Sequence, residues 1–470
     1  MDRRTFLGTA AAMAALGRPA RADARALAMP PLRDTRPSGR LAMTAQRGRM
    51  AFGSGADSDT LGFDQPYLGP TIRMQAGSTG AVLGNGLDEE ISVHWHGLLV
   101  PGHQDGGPHS GIAPGQAWTG SLDFAQPPAT LWYHSHAHGR TARHVHGGLA
   151  GMVQITDGRD AERGLPDTYG VDDLPILIQD RRFDAAGRSH YDPTMTDILN
   201  GYHGDRILVN GQRDAVAVVP RGIVRLRFLN ASNARVYTLH LQDLRPMHLI
   251  ATDGGFLPAP VPLTYLRLAT GERAEVLVDF DAASPPVLMS NKGTRMRILD
   301  FAVDDRLPAR IRRVPDTLDA LPDDLPREGV PARRFALNLG GGSVGAPMAH
   351  GGHSHAHAVE DFGINGRPFR MDRIDIALRQ GAVERWIIGG GGAVDHPFHV
   401  HGVQFRVLRE GGGTRPRPEN SGWKDTVLVA GETEVLMRFG VPADDRHPYM
   451  YHCHILEHED AGMMGQFTVT

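Results

Sequence analysis

Apolar residues along the chain come in short runs bounded by Gly, Pro, Asn and Asp, and no long stretch repeats them at helical spacing. Thr71–Met74, Ala81–Leu83, Ile91–His94 and Met152–Ile155 have this character in the first third. Leu174–Ile178, Ile223–Leu229 and Glu275–Phe280 have it in the second, and Arg385–Ile388, Phe405–Leu408, Thr426–Val429 and Val435–Phe439 in the last. Short runs of this kind, closed by turn residues, predict strands. A chain built of them is all-β and folds as sandwiches. At roughly 150 residues per domain, 470 residues make about three. Val209–Gly211 precedes the run at Ile223, and Ile364–Gly366 precedes a similar run at Ala382–Ile388, so the second and third domains read as related units. Stretches rich in turn residues at Gly158–Tyr169 and Asp304–Pro331 set the expected domains at 40–160, 165–305 and 330–470.

Composition narrows the chemistry. The formal charge of −4 calls for no nucleic acid, and the arginines are scattered rather than clustered. The single cysteine, Cys453, excludes an intrachain disulfide, and 24 histidines leave metal chemistry to imidazole. Residues 1–22 read as a twin-arginine signal peptide, with Arg3-Arg4, an apolar run from Gly8 to Gly17 and the small-residue site Ala20–Ala22. That run is too short to span a bilayer, and no later one approaches the length. The mature protein is therefore expected to be periplasmic, delivered by the twin-arginine (Tat) export machinery, monomeric and without stable membrane insertion. A Gly/His segment at 340–358 reads as a connector, or as a weak metal binder through His350, His353, His355 and His357.

Four segments concentrate the histidines: His94–His96, His134–His136, His396–His401 and His452–His458. Chance alone predicts roughly one His-x-His pair in a chain of this composition, so a lone pair means little. Four in such company mean more, because residues i and i+2 of a strand share a face and send two imidazoles into one space. Eight imidazoles suffice for about three copper ions at two or three ligands each. Cys453, between His452 and His454, points its sulfur the other way. With His396, His458 and a weak axial Met463 it makes the His₂Cys set of a blue-copper centre. A closed zinc site fits such a donor set poorly.

In order and spacing these segments resemble the four copper motifs of the multicopper oxidases, the laccase-like family, and Gly69–Arg73 and Trp423–Thr426 also look like family segments. The resemblance implies three consecutive cupredoxin-like Greek-key sandwiches and four copper ions. By motif, His396, Cys453, His458 and Met463 would hold the type 1 copper, and His94 and His399 the type 2 copper. His96, His134, His136, His401, His452 and His454 would hold the type 3 pair. Asp105 and Glu459 resemble the family's proton-supplying acids, while His240 and His248 in the second domain read as structural. The implied activity is an oxidase passing four electrons from Cu(I), a phenol or a diamine to O₂, giving two waters. Gly392 and Val394 depart from the copper-efflux subfamily, which has Asp and Met there, and its Met-rich insert is reduced here to a loop with Met348. The alternative is a periplasmic copper-binding or scaffold protein of the same fold without turnover.

Overall fold

The computed structural model describes residues 25–470 apart from 54, 282–283, 292–294, 309, 339–361 and 391–393. The signal-peptide segment, the histidines of the Gly/His segment and Gly392 lie outside the described residues. The chain is all-β, and its described helices are short: Gly102–Asp105, Thr141–Gly147, Met195–Asn200 and Leu456–Asp460, with one 3₁₀ turn at Pro418–Asn420. None is long and apolar enough to cross a membrane.

Six sheets pair into three cupredoxin-like sandwiches. The first packs the sheet containing Arg40–Met50 against the sheet containing Ala129–His134, over a core that includes Phe63, Trp95 and Phe124. Burial in Arg40–Met50 alternates along its first half, the period of two expected of a strand with one wet face. Parallel neighbours that are not consecutive in sequence, such as Arg40–Met50 with Gly77–Asn85, give the Greek-key crossovers. Two short strands precede residue 40. Leu32–Asp34 joins the first sandwich, while Arg25–Ala26 crosses to the second and pairs with Ala215–Val219.

The repeat seen in sequence has a structural counterpart. Asn210 and Asn365 both adopt positive φ, 50° and 54°, and each is followed by a positive-φ glycine. Each side chain accepts the backbone N–H of the preceding strand, Leu177 in one case and Ala336 in the other. Those strands, Asp173–Arg181 and Ala332–Asn338, run parallel to Ile223–Asn230 and Val383–Gly390 respectively. The second and third sandwiches are thus built on one plan.

Ile223–Asn230 departs from simple alternation. Its polar positions Arg225 and Arg227 should face water, yet every residue of the strand is buried. The reason is the junction with the first sandwich. Glu275 accepts from Arg225 Nε at 2.7 Å, from Arg227 Nη1 at 3.0 Å and from the Thr130 hydroxyl of the first sandwich at 2.6 Å. Arg227 also pairs with Asp173. Removing one partner of such a buried set strands the others. Glu275→Gln should therefore cost about 3–5 kcal/mol, read as a lower midpoint in denaturant unfolding.

Candidate metal centre

Four strand ends meet between the first and third sandwiches. His94 and His134 form an antiparallel bridge, each N–H donating to the other's carbonyl at 2.9 and 3.1 Å. Strand His396–Val400 pairs with Tyr449–Cys453, setting His399 opposite His452 and Phe398 opposite Cys453. In each His-x-His pair the first residue sits in a strand or bridge and the second just beyond it. The two rings enter one chamber, as a strand face predicts, but turn toward different neighbours. His96, His134 and His454 bring ligand atoms within 4.8 Å of one another, as do His136, His401 and His452, and also His94, His399 and His401. His94 stacks on His401 at 3.8 Å and His96 on His399 at 3.6 Å.

The hydrogen bonds explain which nitrogen faces inward. Nδ1 of His94, His134, His399 and His452 donates to the carbonyls of Asp105, Ser135, Asp425 and Cys453 at 2.8 to 3.0 Å. An occupied Nδ1–H leaves the Nε2 lone pair pointing into the chamber. There His94 Nε2 lies 3.4 Å from His399 Nε2, and His401 Nε2 lies 3.2 Å from His452 Nε2. Nε2 of His96, His134 and His454 has no hydrogen-bond partner. Buried nitrogens without donors are costly, and a soft cation held between them removes that cost. The donor set fits copper.

Three buried carboxylates sit behind the rings, each between two of them. Asp105 Oδ2 is 2.7 Å from His401 Nδ1 and 3.4 Å from His94 Nδ1. Glu459 reaches His136 Nδ1 at 3.3 Å and His452 Nδ1 at 3.2 Å. Asp425 lies 3.5 Å from Nδ1 of both His96 and His399. Carboxylates behind metal-binding imidazoles orient them and raise their basicity. Asp425 was not singled out in the sequence. Its only signal is its place in the Trp423–Thr426 segment, and nothing local says that it faces two histidines.

On the other face of the strand Tyr449–Cys453, Cys453 Sγ lies 3.4 Å from His396 Nδ1 and 3.7 Å from His458 Nδ1. Met463 is buried beside them, its N–H donating to the His458 carbonyl at 2.9 Å and its carbonyl accepting from Cys453 N–H at 3.1 Å. The outer nitrogen of His458 donates to the Leu199 carbonyl at 3.2 Å, in the helix Met195–Asn200 of the second sandwich. His396 and His458 are 0% exposed. Burial pushes the Cys453 thiol up, so its thiolate forms only as a metal displaces the proton. Val394 packs against the third core, and His240 lies away from the cluster, against the Tyr265 ring.

Burial also holds the imidazoles neutral, the form that binds metal. His96, His134, His136, His401 and His454 fall well below the usual value, His399 to about 4 and His458 to about 3. The unfolded chain protonates these groups below about pH 6.5 while the folded chain does not, so stability rises with pH across that window. Thermal scans of the metal-free protein should show the melting temperature falling from about pH 7 to about pH 5, with copper opposing the fall.

Comparison with known proteins agrees with this geometry. Multicopper oxidase family models match residues 44–160, 184–297 and 346–470. Cell division protein FtsP of Sodalis glossinidius is 38% identical over 480 residues, covering 100% of this chain and 98% of that protein. FtsP of Escherichia coli K12 is 37% identical, covering 100% and 99%. Among solved structures, a bacterial laccase-like multicopper oxidase, CueO, from Ochrobactrum sp. has a TM-score of 0.86 at 39% identity, covering 94% of this chain and 100% of its own. A multicopper oxidase from Pediococcus acidilactici has a TM-score of 0.83 at 32% identity, covering 95% and 92%. The FtsP likeness corrects the expectation of an enzyme turning over O₂, since these curated relatives match the chain end to end and are named for cell division. Three family models, the fold and the clustered copper-type ligands agree that the chain belongs to the multicopper oxidase family.

Proposed function

We propose that this chain is an exported, copper-holding member of the family that serves in cell division and turns over no substrate. The observation that carries the reading is the end-to-end likeness, at 37–38% identity, to proteins named cell division protein FtsP. His396, Cys453, His458 and Met463 would hold one copper, and His94 and His399 a second. His96, His134 and His454 would share a third and fourth with His136, His401 and His452. Copper bound there would supply a one-electron redox centre. Asp105 and Glu459 then serve to orient imidazoles rather than to deliver protons.

Burial supports a centre without turnover. Neither His396 nor His458 offers a ring edge to solvent, and the outer nitrogen of His458 is engaged by Leu199. A phenol or diamine would have no imidazole to rest against. The Arg3-Arg4 start supports Tat export to the periplasm, where the partners would be components of the division machinery.

The test pairs two measurements. Copper-loaded protein carrying about four ions per chain should consume no more oxygen with Cu(I) or a methoxyphenol than a Cys453→Ser control. A strain lacking the protein should form elongated cells, and the intact gene should restore their length. Sustained oxygen uptake, or normal division without the protein, would overturn the reading.

A further inference from the structure

The second sandwich brings no metal-binding motif, yet one of its turns touches the histidine chamber. The Thr270 hydroxyl donates to the His454 carbonyl at 2.7 Å. Gly271 has a φ of +80°, and a Cβ there would stand 2.9 Å from the His454 ring, so only glycine fits beside that imidazole. Arg273 donates through Nη1 to Asp425 Oδ1 at 2.7 Å and through Nη2 to Oδ2, a bidentate pair with both side chains 0% exposed. Its Nη1 also lies 3.4 Å from His96 Nδ1.

Arg273 is itself held from several sides. Its Nε donates to the Thr130 carbonyl of the first sandwich at 3.1 Å, and its backbone N–H donates to Asp253 at 2.8 Å. Lys424 Nζ bridges Asp253 and Glu272 at 3.0 Å each. This dry network sets two cations against three carboxylates, and the carboxylate nearest the histidines is Asp425. Of the three carboxylates behind the rings, Asp425 has the bidentate arginine. That fork holds its two oxygens in place behind His96 and His399.

We propose that the second domain positions the metal-binding chamber through the turn Thr270–Arg273, acting on Asp425 and His454. The proposal rests on the copper-holding reading above. Copper content after dialysis against a chelator, visible absorption of the Cys453 centre and the electron paramagnetic resonance spectrum would be compared across variants. Arg273→Lys, which keeps the charge but loses the fork, and Asp425→Asn should each weaken copper binding in the chamber by about 10- to 100-fold and shift its resonance spectrum. The absorption of the Cys453 centre should persist. Gly271→Ala, acting on His454 alone, should give the same split between the two centres. Arg227→Lys, in the buried ion cluster that meets the Thr130 hydroxyl of the first sandwich, should lower the melting temperature and leave copper content and spectra unchanged. Unchanged chamber spectra in both Arg273→Lys and Asp425→Asn, with wild-type protein copper-loaded, would overturn this inference alone. An equal loss in Arg227→Lys would overturn it too, by reducing the effect to general loosening. Wild-type protein that holds no copper would remove the copper reading as well.

Discussion

The structure depends on one constraint: neutral imidazoles must converge in a dry chamber with their lone pairs facing one another. Such an arrangement repels itself and forfeits water, so it persists where the rings are held from behind and a cation can occupy the centre. The protein meets the first condition for seven of the eight rings, with backbone carbonyls for four and with three carboxylates that each stand between two, while His454 is held through its backbone carbonyl by Thr270. The carboxylates come from different places in the chain. Asp105 ends a short helix in the first sandwich, Glu459 lies on the last helix, and Asp425 precedes a strand of the third sandwich.

That requirement explains why the sandwiches are joined by buried ions rather than by apolar surface alone. Interfaces between domains are usually modest and mobile, whereas a chamber shared by two domains and braced by the third tolerates little sliding. Buried polar contacts such as the Thr130 hydroxyl with Glu275 and the pair of Arg273 with Asp425 are directional, so they specify one docking geometry. The helix Leu456–Asp460 works the same way. Asp460 accepts the N–H groups of Thr141 and Ala142, and Glu457 accepts the Tyr202 N–H, so the third sandwich is tied to the other two beside the metal centres.

Family membership and the name carried by full-length relatives point different ways for this chain. The buried histidines and Cys453 group closely, as a copper-holding fold needs. His458, beside Cys453, lies against the helix Met195–Asn200, whose Leu199 carbonyl accepts its outer nitrogen. A fold sets where copper can sit, and the surface around it sets whether anything can reach it.

By itself the sequence determined the all-β class, because short runs closed by Gly, Pro and Asn have few other solutions. It also carried the histidine segments and Cys453 that the fold brings together, because His-x-His spacing and the flanking of Cys453 are local and written in the chain order. Asn210 and Asn365 carried the repeat, because a tight turn requires a residue tolerant of positive φ. Tertiary structure alone decided the rest. Arg225 and Arg227 look like the wet face of a strand until a second sandwich covers them, and Asp425 and Arg273 acquire meaning only when residues 152 positions apart become a bidentate pair. The sealing of His458 by Leu199, 259 positions away, is likewise invisible to any local pattern. Local rules specify which atoms are available to a metal, while packing between domains specifies how they are held and what can approach them.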